Sequence, residues 1–182
     1  EIMLERFEGE LPRGTKIIAT LQSDKTISET TALNYVIPYV EYLSIPVFFN
    51  GKLISQRAYT PVESANYNNV NSVVNGISLA YTYSITILRQ STVGVKVYVK
   101  DIRYGGENWQ GDVLLDTSKQ GIFALRSGFG LSAMPINSIF KLGGLVNLSM
   151  LMPTAGREAI NQDCINKVQR LIIDVERIIA SE

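Results

Sequence analysis

The stretch LAYTYSITILRQSTVGVKVYV, residues 79–99, decides the class of fold. Leu79, Tyr81, Tyr83, Ile85 and Ile87 alternate with small or polar residues, and Val93, Val95, Val97 and Val99 repeat the pattern after a short polar break. A period of two sends every second side chain to one face, which is the signature of a half-buried strand. Thr92 and Gly94 fall inside this β-rich region, so a sheet of several strands is expected. The end of the chain has a different period. Ile160, Cys164, Ile165, Val168, Leu171, Ile172, Val175, Ile178 and Ile179 recur at three and four, which predicts an amphipathic helix from Gln162 to Ala180. Asn161 stands where an N-cap belongs, with Asp163 in the first turn and Arg177 in the last, as the helix dipole favours. Together these predict an α/β (α+β) chain with a mixed or mainly antiparallel sheet and covering helices.

Working outward, Arg13–Gln22 follows Gly9 and Pro12 and reads as a β-branched strand. Ser28 opens a helix whose stripe is Leu33, Val36, Ile37, Val40 and Leu43, with Pro38 kinking or shortening it. Asn50-Gly51 between two apolar runs predicts a hairpin, because both turn positions need positive φ. Residues 56–76 are rich in Asn, Ser, Tyr and Pro and mark the expected domain boundary, which divides the chain into 1–57 and 58–182. Arg103–Asp112 reads as a surface loop carrying Trp109, with the indole packed on the core rather than offered to a partner. Runs of VLLD, GIFALRSG and GLVNLSMLM alternate with turns, and Ile136–Leu142 reads as a short helix. Asp112 and Asp116 share a face if they lie in a strand, and read as surface residues.

Composition removes several kinds of chemistry. The 182 residues are 46% apolar and 19% charged, enough for one folded domain or one and a part. Seventeen basic residues balance seventeen acidic ones, so no global field favours nucleic acid or an anionic membrane. There is no histidine, which argues against zinc sites and Ser-His-Asp catalysis, and no metal-ligating set is assigned. Cys164, the single cysteine, forms no internal disulfide; it fits a reducing cytoplasm and, on the apolar stripe of the last helix, a small buried hydrophobe. The most apolar run, Tyr35–Phe49, is too short and interrupted to span a bilayer. A first residue of Glu1 rather than methionine suggests a piece of something longer.

Three segments in order, RGTKIIATLQSD (13–24), ALNYVIPYVEYL (32–43) and IPVFFNGK (45–52), resemble the C-terminal end of the ATPase domain in the ninety-kilodalton heat-shock chaperones of the GHKL superfamily. A fourth, PTAGREAIN (153–161), is similar to the catalytic loop of their middle domain. Gly156 replaces the family's usual serine, the stretch before Arg157 is one residue shorter, and Asn161 stands at the family's glutamine. The resemblance implies a middle domain of the kind seen in ribosomal protein S5 domain 2. It implies ATP and Mg2+ bound by a nucleotide pocket that would lie upstream of Glu1, and Arg157 touching the γ-phosphate. Asn161 would be a catalytic helper by the resemblance, or a helix cap by its position. The implied partners are client proteins, the ATPase domain of the same chain and a second copy, in the cytoplasm.

Arginine suits that role because its guanidinium is always charged and forked, so it stabilises charge that grows during phosphoryl transfer. Gly156 would permit close backbone approach. The alternative is a solvated Arg157 paired with Glu158 or Asp163, worth about 0 to 1 kcal/mol. Two other functions fit the chain: the transducer domain of a GHKL topoisomerase or mismatch-repair ATPase, whose Gln-Thr-Lys-like loop is not found, and a non-catalytic interaction scaffold.

Overall fold

The computed structural model describes residues 26–58, 72–77, 81–90, 94–155 and 159–181. Helix α1 is Glu29–Val40, followed by strands β1 (Phe48–Phe49), β2 (Lys52–Leu53), β3 (Ser72–Ile77), β4 (Tyr81–Gln90), β5 (Gly94–Tyr104), β6 (Glu107–Asn108), β7 (Gly111–Asp116), β8 (Ile122–Arg126), β9 (Phe129–Met134) and β10 (Gly143–Leu148), and by helix α2, Gln162–Ser181. The main sheet runs β3-β4-β5-β7-β10-β8-β9, with β6 also paired to β5. Every pairing among the described strands is antiparallel except β8 with β10. The chain is thus α+β, with a mostly antiparallel mixed sheet and a C-terminal helix.

The alternation read from the sequence builds the core. Tyr81, Tyr83, Ile85 and Ile87 of β4, Val97 and Val99 of β5, Val113 and Leu115 of β7 and Val146 and Leu148 of β10 are buried; Ile85, Val99, Val113 and Val146 form one row across the four strands, and Ile87, Val97 and Leu115 another. Against this face α2 buries Cys164, Ile165, Val168, Leu171, Ile172, Val175 and Ile179. Each such side chain contributes about 1.5 to 3 kcal/mol by leaving water, which is why α2 is fixed along its whole length. No described helix is long and apolar enough to cross a membrane.

On the other face, the register places Gly130 of β9 beside Leu125 of β8, which in turn pairs with Asn147 of β10. There α1 sits so close that a Cβ on Gly130 would lie 2.1 Å from Pro38 O. The Gly128 N–H donates to Asn147 Oδ1 at 3.0 Å beneath the same helix end, and the Tyr39 and Phe129 rings meet at 6.2 Å. Ser28 caps α1 by accepting from Thr31 N–H at 3.1 Å. The helix ends two residues after Pro38, so Leu43 lies beyond it rather than in its stripe. No residue of α1 is fully buried, because it covers the margin of the sheet and not its centre. Asn50 (φ 47) and Gly51 (φ 78) make the hairpin turn between β1 and β2, as the pair predicts. Further backbone bonds from Gln56 N–H to Leu43 O and Arg57 N–H to Glu41 O, together with an Arg57–Glu41 ion pair, zip this hairpin back to the end of α1.

Several expectations are corrected. Residues 72–76, the end of the stretch read as low in periodicity, lie in β3 and pair with β4 despite Asn75 and Gly76. Arg103–Asp112 is not a surface loop but a hairpin, in which β5 continues to Tyr104, turns at Gly105-Gly106 and returns as β6. Trp109, 3% exposed, packs against Tyr81 and Tyr104 with centroids 5.5 and 5.2 Å away, as the packed reading had it. Ile136–Leu142 is a turn-containing loop and not a helix. Asp112 is buried rather than on the surface, and accepts from the Tyr98 hydroxyl at 2.9 Å. Cys164 is buried, its thiol directed at Met150 O at 3.5 Å. The expected strand at Arg13–Gln22, like Leu79 and Val93, lies outside the described residues.

Candidate functional site

The segment that carries the proposed chemistry leaves β10 and enters α2. Its two arms are held to one another by backbone: Thr154 N–H donates to Ala159 O at 2.8 Å, Asn161 N–H donates to Met152 O at 2.8 Å, and Pro153 and Ile160 form an antiparallel bridge. Leu151 and Ile160 anchor the arms in the core at 0% and 4% exposure, while Met152, Thr154, Ala155 and Ala159 are exposed. The connection between the arms is residues 155–158. Arg157 belongs to it and, with Gly156 and Glu158, lies outside the described residues.

Asn161 sits where the second arm becomes α2. Its side-chain Oδ1 accepts from Asp163 N–H at 2.8 Å, which satisfies one of the otherwise orphaned donors of the first turn, while its carbonyl accepts the first intrahelical bond, from Ile165 N–H at 3.1 Å. Asp163 adds a negative charge at the positive end of the helix dipole. The Asp163 carboxylate pairs with Lys167 at 2.7 Å, and that hydrogen bond raises the lysine's pKa. The Lys167 ammonium stands 5.6 Å from the centroid of the Tyr104 ring. Of the two carboxylates expected as plain partners for Arg157, Asp163 therefore has one oxygen, Oδ2, engaged by Lys167.

The helix behind this foot is tied to the sheet and to a loop. Tyr81 Oη donates to Lys167 O at 2.5 Å, and burial, with the neighbouring Tyr104, pushes the Tyr81 phenol above its ordinary range. Gln169 forms a two-way clamp with the backbone of Asn137, donating to its carbonyl at 2.7 Å and accepting from its N–H at 2.8 Å. Glu176, 4% exposed, accepts from the Ser138 hydroxyl at 2.6 Å and from Phe140 N–H at 3.1 Å. These two side chains hold residues 136–142 open and explain why no helix forms there. The sequence reading overlooked Glu176. Its signal was a carboxylate standing between Ile172 and Ile179, inside the apolar stripe, where a charge needs a partner.

Among the described residues no three acidic, histidine or cysteine side chains are grouped to hold a metal ion. What the arrangement offers is two arms, residues 151–155 and 159–161, held together by backbone hydrogen bonds and joined to a capped helix that is buried along one face. Comparison with protein-family models, curated proteins and solved structures finds no match to this chain.

Proposed function

We propose that this chain is the junction of an ATP-dependent molecular chaperone of the ninety-kilodalton heat-shock type, with residues 1–57 completing its GHKL ATPase domain and 58–182 beginning a middle domain of the ribosomal protein S5 domain 2 kind. Arg157 reaches the γ-phosphate of an ATP that is held with Mg2+ by the ATPase domain, and stabilises the charge that develops as the phosphoryl group departs. ATP hydrolysis is thereby coupled to the handling of client proteins, in a cytoplasmic dimer. The observation that carries this reading is the mount. The Thr154–Ala159 bond closes the arms immediately before the connection containing Arg157, and the Asn161 cap fixes those arms to α2. A group that must meet a substrate supplied by another domain gains from such rigidity, because misplacement by about 1 Å can cost a hundredfold in rate. The order of the Gly-Thr segment, α1 and the Asn-Gly hairpin supports the same reading.

The test uses the chain together with the ATP-binding region that the reading requires. Aggregation of a thermally unfolding reporter protein should be suppressed in an ATP-dependent manner, and DNA should not be retained. Salt-sensitive retention on DNA would replace this function with that of a transducer domain. Absence of any response to nucleotide would leave only an interaction scaffold.

A further inference from the structure

We infer that residues 26–57 leave the main sheet and return to it as one rigid piece, and that the hairpin of β8 and β9 is the seat on which that piece docks. The piece is knit from within. Gln56 N–H donates to Leu43 O at 3.0 Å, Arg57 N–H to Glu41 O at 2.9 Å and Gln56 Nε2 to Ser44 O at 2.8 Å. Ile54 N–H donates to Val47 O at 2.9 Å, and the buried Ser55 hydroxyl donates to Ile45 O and accepts from Val47 N–H, both at 2.8 Å. For α1, the β1–β2 hairpin and the segment that returns to Arg57 to move separately, several of these bonds must break at once.

The seam between this piece and the sheet is built differently. α1 lies against β9, and two glycines there bring backbone up to backbone. A Cβ on Gly128 would stand 2.3 Å from Tyr42 O, and one on Gly130 2.1 Å from Pro38 O. The Tyr39 and Phe129 rings add a contact at 6.2 Å, yet Phe129 stays 45% exposed and no residue of α1 is buried. Leu125, in register with Gly130, is fully buried but stands outside the continuous core that α2 covers. A seam that buries so little apolar surface opens at lower free energy than the core behind it, so the piece is released before the sheet unfolds. On the chaperone reading, which the inference does not need, the piece closes the ATPase domain and the seat belongs to the middle domain. Docking and release at this seam would then pass movement from one to the other.

Residue-resolved amide hydrogen exchange on the chain as it stands tests this. The hydrogen-bonded amides of Glu41, Leu43, Ile54, Gln56 and Arg57 should share protection factors within about threefold of one another and at least about tenfold below those of the buried stretch of α2, Val168–Val175. Phe129→Ala removes the ring contact at a half-exposed position, so the sheet stays folded. It should quicken all five amides by one common factor of about two- to tenfold and leave α2 unchanged. Faster exchange at Glu41 with Gln56 and Arg57 unmoved would overturn the inference, because α1 would then fray alone. Equal acceleration in α2 would overturn it too, because the seam would open only with the whole fold, and unchanged exchange at all five would remove the seat. No nucleotide enters the measurement. A chain that ignores ATP therefore loses the chaperone reading and leaves this result standing.

Discussion

Gly130→Ala should loosen α1 from the sheet. The backbone of Gly130 is not in the left-handed region, so the substitution carries no conformational penalty and its cost is steric. The added methyl carbon would lie 2.1 Å from Pro38 O and 2.8 Å from Tyr39 Cα. Both belong to the helix backbone, which cannot rotate aside, so α1 must retreat by roughly 1 Å, enough to forfeit a quarter to a half of each dispersion contact it makes. The half-buried stripe of Leu33, Val36, Ile37 and Val40 bears that loss. Overpacking of this kind costs about 2 kcal/mol, which corresponds to roughly thirtyfold in a local opening equilibrium. Amide hydrogen exchange along α1 is the direct assay, with urea unfolding alongside. We expect α1 amides to exchange roughly thirtyfold faster, with a smaller drop in the unfolding midpoint of the sheet, because β9 is its margin. Wild-type exchange in α1 would refute the seating of this helix over Gly130.

Other perturbations test the core behind the candidate site. Glu176→Ala strands the Phe140 N–H and the Ser138 hydroxyl and should destabilise the chain by roughly 2 to 4 kcal/mol in urea unfolding, whereas Glu176→Gln keeps an acceptor and should cost less than about 1 kcal/mol. Equal losses in both variants would mean that the negative charge, not the acceptor, matters. The Tyr98 phenol is pushed up to about 12 by burial first and then by its hydrogen bond to Asp112. A raised folded pKa stabilises fully below the unfolded value near 10 and loses its contribution as pH climbs through the folded value. Stability should therefore fall between about pH 10 and the folded value of about 12, and Tyr98→Phe should flatten that fall. Tyr83, raised to about 12 by burial, should leave part of the slope in the variant.

The sequence made some of this architecture legible because the signals were local. Period-two burial in β4 and β5 follows directly from Tyr81, Tyr83, Ile85, Ile87, Val97 and Val99, and the Asn50-Gly51 turn needs nothing beyond its own two residues. The stripe of α2 and the cap at Asn161 are equally local. What escaped is non-local. Apolar spacing at Ile136–Leu142 suits a helix, yet Gln169 and Glu176, more than thirty residues on, capture the backbone and side-chain groups of Asn137, Ser138 and Phe140. β3 reads as linker by composition and becomes a strand because β4 offers it a ladder. Asp112 reads as solvated until the Tyr98 hydroxyl arrives from the neighbouring strand. The parallel pairing of β8 with β10 leaves no mark in either strand. At the candidate site, Pro153 and Gly156 announce a turn, but the Thr154–Ala159 and Met152–Asn161 bonds that pin its arms have no signature in residue type.

The central claim is that the guanidinium of Arg157 meets the γ-phosphate of ATP during hydrolysis. Turnover and ATP affinity of Arg157→Ala, measured side by side in the chain with its ATP-binding region, test it most directly. We predict that kcat falls on the order of a hundredfold or more while the Kd for ATP holds. A kcat within twofold of the unsubstituted chain would contradict the claim.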